Sequence, residues 1–73
     1  MFYVYYLKTL NGTYIGYTKD LRRRIYEHRS KKPELVYYEA YRDERDAQHR
    51  EKILKQRGQS IRRLKERLRW SLR

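Results

Sequence analysis

β-formers crowd the first eighteen positions. Phe2-Tyr3-Val4-Tyr5-Tyr6-Leu7 and Tyr14-Ile15-Gly16-Tyr17-Thr18 flank Asn11-Gly12, a pair that tolerates positive φ and signals a type I′ turn, so residues 2 to 18 read as a β-hairpin. With Asn11 and Gly12 as the two-residue loop, Leu10 faces Thr13 and cross-strand partners have numbers that sum to 23. Leu7 then faces Gly16 and Tyr5 faces Thr18. Alternation of side chains puts Tyr5, Leu7, Tyr14 and Gly16 on one side of the hairpin.

After Thr18 the pattern becomes helical. Thr18 is the expected N-cap, Asp20 lies in the first turn, and Leu21 and Ile25 begin an apolar stripe, so a helix is predicted over 19–29. Pro33 closes the next loop. Leu35 to Tyr41 form a third strand, and Asp43 can cap a second helix that runs to about Gln56, with Gly58 as its stop. A last basic helix starts near Ser60, with Ile61, Leu64, Leu68 and Leu72 at helical spacing. The elements follow the order ββαβαα, an α+β arrangement.

Composition narrows the function. The 73 residues leave room for one small domain spanning 1–73, near the lower limit of what folds without crosslinks. There is no cysteine, so no disulfide or cysteine-bound zinc adds stability. Nine tyrosines, one phenylalanine and one tryptophan must carry much of the packing. Twenty Lys and Arg against nine Asp and Glu give a net charge of +11, the footprint of a nucleic-acid-binding protein. No apolar run reaches transmembrane length and no signal-peptide pattern opens the chain, so no membrane role is expected. The expected location is the cytoplasm, on the nucleoid if the source is bacterial.

Several polar residues sit on apolar faces. Arg24 follows Leu21 by three residues and precedes His28 by four, so Arg24 and His28 share a face that borders the stripe. Glu51 falls four residues after Ala47 and three before Leu54 on the second helix. A carboxylate there needs a cation, either Arg or Lys from another element or a bound metal. Most of the tyrosines read as core or sheet-face aromatics. The exceptions are Tyr5 and Tyr14, whose hydroxyls can converge over Gly16, where the missing side chain would let a substrate backbone come close.

These residues resemble the GIY-YIG nuclease family, which includes intron-encoded homing endonucleases, the N-terminal cleavage domain of the bacterial excision-repair nuclease and small stand-alone proteins. Tyr3-Val4-Tyr5 stands at the first half of the signature and Tyr14-Ile15-Gly16 at the second. Thr18 to Arg24 resembles the following helix, Leu35-Val36-Tyr37-Tyr38-Glu39 the third strand, and Arg50-Glu51-Lys52-Ile53-Leu54-Lys55 the metal-bearing helix. The resemblance implies a three-stranded antiparallel sheet flanked by helices, and an endonuclease that hydrolyses DNA phosphodiesters with one divalent cation, Mg²⁺ or Mn²⁺. Tyr5 and Tyr14 would be the catalytic tyrosines, Arg24 the catalytic arginine, His28 a proton relay and Glu51 the metal ligand.

The chemistry suits these residue types. Phosphodiester hydrolysis needs an activated water, a cation on the phosphate oxygens and a proton acceptor. A phenolate base at neutral pH requires roughly three units of depression from the free value near 10, about 4 kcal/mol. Tyr5 is the expected base and Tyr14 the group that orients water or phosphate, although the two roles could be exchanged. Gly16, Lys19, Arg22, Arg23, Lys55, Arg62 and Arg63 are the expected DNA contacts, joined on the last helix by Lys65, Arg67 and Arg69, which would track phosphates.

This chain also departs from the family. Tyr3 replaces the first Gly, Arg29 follows His28 where relatives often have Asn, and the segment from His28 to Pro33 is shorter than the usual basic loop. Less surface for gripping DNA implies branched or non-sequence-specific substrates, with a homodimer or a fusion or partner protein as possible help. Repair and recombination are the expected settings. The alternatives are a weak or inactive nucleic-acid-binding module of the same fold, or a small basic protein of a ribonucleoprotein.

Overall fold

The computed structural model describes residues 1–56 and 58–71, with side chains at all of these except 58–61. Three strands, β1 (Phe2–Thr9), β2 (Gly12–Thr18) and β3 (Glu34–Tyr41), make one antiparallel sheet in the order β2-β1-β3. Three helices accompany it, α1 (Leu21–Glu27), α2 (Glu44–Gln56) and α3 (Gly58–Arg67). The α+β class and the order ββαβαα agree with the sequence reading. One element is added, a 3₁₀ turn over Arg29–Lys31. Among the described residues, no helix is long and apolar enough to cross a membrane.

The hairpin register differs from the expected one by two residues. Thr9 pairs with Gly12, Leu7 with Tyr14 and Tyr5 with Gly16, so the loop is Leu10-Asn11, and Gly12 already belongs to β2. Asn11 does not adopt positive φ, whereas Gly12 does, at 119°. The hydroxyl of Thr9 accepts from the Asn11 amide at 3.2 Å and donates to the Gly12 carbonyl at 2.9 Å. These side-chain bonds hold a turn that the Asn-Gly rule did not anticipate. A slip of two preserves side-chain parity, so Tyr5, Leu7, Tyr14 and Gly16 still share a face.

The start of α1 also moves. Asp20, in extended backbone at φ −127° and ψ 92°, is the N-cap, and its carboxylate accepts from the Arg23 amide at 3.0 Å. Thr18 instead accepts the Asp20 amide at 3.1 Å, forming a turn just ahead of the helix. Beyond Glu27 the chain tightens. The Lys31 amide donates to the His28 carbonyl at 2.9 Å, and Lys32 takes the left-handed conformation at φ 51°. The Leu10 amide at the hairpin tip donates to the Lys31 carbonyl at 3.0 Å. The shortened segment after His28 is thereby tied to the hairpin.

β1 is central, and Val4 to Leu7 are all buried. Val4 and Tyr6 meet Ala47 and Leu54 of α2 and Leu64 of α3, with Phe2, Ile15, Tyr17, Val36, Tyr37, Tyr41 and Leu68 around them. A bulge lies where β1 passes from Tyr6 to Leu7, so Val36 is an extra residue of β3 that joins Tyr37 against the core. Asp43 precedes α2 and accepts from the Arg45 amide at 2.8 Å, as the capping expectation required. α3 begins at Gly58, not near Ser60. Leu64 and Leu68 pack as expected, while the side chain of Ile61 and all of Leu72 lie outside the described residues.

Glu39 ties sheet to helix. Its carboxylate accepts from Tyr37 at 2.6 Å, from Tyr41 at 2.5 Å, and from the guanidinium of Arg50 at 2.8 and 3.1 Å. Burial alone would raise this carboxyl, but the bonds from Arg50, Tyr37 and Tyr41 outweigh it and hold the group below its ordinary value. Burial and the bond to Glu39 push the Tyr41 hydroxyl up to about 12.

A carboxyl depressed in the folded state contributes stability above its unfolded pKa and loses it as pH falls through the folded one. Glu39→Gln is therefore expected to cost about 1–3 kcal/mol at pH 7, as for a charged hydrogen bond, with the gap to wild type closing towards pH 3. Urea unfolding of both proteins across that range checks this; a gap independent of pH contradicts the depressed carboxyl.

Candidate active site

Tyr5 leaves β1 opposite Gly16 and is only 6% exposed. A Cβ on Gly16 would run into the Tyr5 hydroxyl and lie 2.7 Å from its Cζ and 3.1 Å from its Cε1. Glycine at this position makes room for a phenol ring, not for a substrate backbone. Gly16 is itself buried, which removes the reason for expecting a DNA contact there. The demand comes from the register: the two-residue slip brings Gly16 directly across from Tyr5.

The hydroxyl of Tyr5 is raised above its ordinary value. Burial is the largest cause, the charge of Arg24 opposes it, and Glu51 and Glu27 add to it. Two conclusions follow. The charges of Arg24 on α1 and Glu51 on α2 both reach this phenol, although they are far apart in sequence. A raised phenol favours its protonated form, which suits a hydrogen-bond donor.

Arg24 is half-buried. Its Nη1 stands 3.7 Å from Glu27 Oε1, a pair with both side chains about half in solvent and little net strength. Its Nε is buried and meets no hydrogen-bond acceptor. A buried donor left unmet is costly, so the position favours a ligand that brings an oxygen to it.

Glu51 lies on the apolar side of α2 between Ala47 and Leu54, both buried, and its side chain is 21% exposed. The cation it finds is Lys55, from its own helix one turn on, at 3.8 Å, too far for a hydrogen bond. Lys55, expected to contact DNA, is thus partly engaged at the site. Among the described residues, no three His, Cys, Asp or Glu side chains gather into a cluster that could hold a metal ion. Glu51 would act as a single carboxylate ligand.

Tyr14, two residues before Gly16 on the same face, has different neighbours. The Lys31 ammonium donates to its hydroxyl at 3.0 Å and also lies 4.8 Å from its ring centroid. The His28 ring packs against it at 5.3 Å, tilted by 36°. The five residues expected at the site therefore fall into two adjacent groups. Tyr5 lies within the fields of Arg24 and Glu51, and Tyr14 packs with His28 and Lys31. Sequence reasoning missed Lys31, because nothing in Lys31-Lys32 separates one lysine from the other. The only signal was its spacing of three from His28, which becomes informative once the 3₁₀ turn continues the winding of α1.

The remaining basic positions are peripheral. Lys19, Arg22 and Arg23 are exposed around the start of α1, and Arg62, Arg63, Lys65 and Arg67 are exposed on α3. Arg69 stacks 5.5 Å over Trp70.

Residues 1–65 match the model of the GIY-YIG catalytic domain. No curated protein and no solved structure matches the chain.

Because the Tyr5 ring fills the space beside Gly16, Gly16→Ala is expected to displace that ring and destabilise the protein by about 1–3 kcal/mol, as for overpacking. Adding Tyr5→Leu, which vacates the contact, should make the alanine nearly neutral. A thermal-unfolding double-mutant cycle measures the coupling, and additive effects would refute the contact.

Proposed function

The chain belongs to the GIY-YIG catalytic-domain family, and on that footing we propose that it is a DNA endonuclease hydrolysing phosphodiester bonds with one divalent cation. The observation that most supports this is the convergence on Tyr5 of the charges of Arg24 and Glu51, with a buried Arg24 Nε that lacks an acceptor. A phosphate would satisfy that donor, and phosphate-binding sites favour the planar, permanently charged guanidinium.

Glu51 fits a divalent ion, since its ion pair is loose and hard cations such as Mg²⁺ or Mn²⁺ take one or two carboxylates together with water and phosphate oxygens. When bound, the cation supplies Lewis-acid stabilisation of the phosphate and the departing oxygen. Arg24 balances the charge that builds on the phosphorane. Tyr5, kept neutral by burial, donates a hydrogen bond that fixes the water or a phosphate oxygen. Tyr14, once it has passed its own proton on, accepts the proton of the attacking water. Lysine has donors only, so in its bond to Tyr14 the hydroxyl oxygen is the acceptor and the tyrosine's own proton is directed elsewhere. His28, packed on the same ring, carries the proton onward.

The basic surface around α1 and on α3, from Lys19, Arg22 and Arg23 to Arg62 and Arg63, holds phosphates without reading bases. With so little area, branched or non-sequence-specific DNA is the fitting substrate.

Cleavage of supercoiled plasmid and of flapped or branched DNA in Mg²⁺ or Mn²⁺, abolished by chelator, is the expected outcome. Tyr14→Phe should lower the rate by about 100-fold or more, the range for losing a general base, and Glu51→Ala at least as much, because it removes the carboxylate that would hold the cation. Activity that survives both changes would overturn the site. DNA binding without cleavage under any metal would identify a non-catalytic module of the same fold.

A further inference from the structure

A depression of about 460 Å³ adjoins the site on the same face of the sheet, within the roughly 300–1,000 Å³ usual for small-ligand pockets. Tyr3 and Tyr38 contribute aromatic walls, Leu21 and Ile25 of α1 apolar surface, and Lys19 and Arg22 cations. Tyr3 and Tyr38 meet edge to face with ring centroids 6.0 Å apart and planes at 63°, yet Tyr38 remains 51% exposed. The edge-to-face contact with Tyr3 supports the ring, yet about half of Tyr38 stays open to a ligand above Leu21 and Ile25. Asp20 also borders the depression, but its carboxylate is bound to the Arg23 amide as a helix cap.

We infer that this depression binds an unstacked nucleobase of the nucleic-acid substrate, next to the scissile phosphate. Three observations converge on that occupant. Tyrosine faces attract any base, because every base has a π-face, and such stacking is tolerant of sequence. Lys19 and Arg22 supply the positive charge that a flanking phosphate needs, so the pocket's chemistry matches a nucleotide better than an apolar peptide. Its position is also fixed relative to the site. Tyr38 is the direct cross-strand partner of Tyr5, and Tyr3 lies two residues before Tyr5 on β1, about 6.6 Å along the strand. That offset is on the order of one nucleotide of an extended strand.

The consequence is a preference in substrate structure. In a continuous duplex each base is stacked on its neighbours and paired, and drawing one out costs a few kcal/mol. At a flap, bulge or junction the base is already unstacked, so the pocket is filled at little cost. The basic surface then grips any DNA, while the Tyr3–Tyr38 pocket distinguishes a branch point from plain duplex.

This inference rests on the nuclease reading only for the position of the scissile phosphate, and binding tests it without cleavage. In chelator, a flapped oligonucleotide with 2-aminopurine at the first unpaired position and a duplex of equal length and charge are titrated with wild type, Tyr38→Ala and Tyr38→Phe. Wild type should bind the flap about tenfold more tightly than the duplex, the scale of one base–aromatic stack, and quench the probe. Tyr38→Ala should lose both the preference and the quenching with duplex affinity unchanged, and Tyr38→Phe should keep them. Equal flap and duplex affinity for wild type, no DNA binding at all, or a preference that survives Tyr38→Ala would overturn the inference. Flap preference in a protein that cuts nothing would instead leave the pocket standing and remove the nuclease reading.

Discussion

The architecture depends on β1, which must be satisfied on two edges and two faces at once. Val4 and Tyr6 point into the core built by α2 and α3, while Tyr5 and Leu7 point to the opposite face, where Tyr14 and Gly16 also lie. All four are buried. A central strand covered on both faces cannot shift by one residue without exchanging one face for the other, so its alternation fixes which tyrosines pack in the core and which lie on the face of the candidate site. Tyrosine suits such a strand in a chain without disulfides. Its ring contributes burial while its hydroxyl still finds a partner, as Tyr37 and Tyr41 do at Glu39.

The same constraint gives the two site tyrosines unlike surroundings. Tyr5 packs against Gly16 and is almost wholly buried, and burial raises its hydroxyl against the field of Arg24. Tyr14 sits towards the hairpin tip, where the Leu10 amide and the turn after α1 bring Lys31 to its hydroxyl. In the proposed reaction, one phenol orients a proton and the other accepts one, and two phenols with unlike surroundings suit that division. The short segment between His28 and Pro33 is what places Lys31 on Tyr14.

Charge is distributed to match. A net charge of +11 repels itself, yet the acidic groups are spent where they organise structure. Glu39 fastens α2 to the sheet through Arg50, Asp20 and Asp43 start helices, and Glu51 is held at the site. Most of the basic residues are left exposed on the surface, where they attract a polyanion from any direction. Selectivity then has to come from shape, and the Tyr3–Tyr38 depression is an aromatic feature beside the site that could supply it.

The α+β class, the order of elements and the shared face of Tyr5, Tyr14 and Gly16 were legible in the sequence, because side-chain alternation and helical spacing are local properties that a two-residue register slip does not disturb. Glu51 was visible as a carboxylate on an apolar stripe for the same reason. The turn itself was not, since Thr9 side-chain bonds and the tie from Leu10 to Lys31 outweighed the preference of Asn-Gly. The partner of Gly16, the choice of Asp20 over Thr18 as cap, the Lys31 contact with Tyr14 and the four-way bond at Glu39 were decided by the tertiary structure. Each depends on which atoms meet across elements, and spacing along the chain carries no information about that distance.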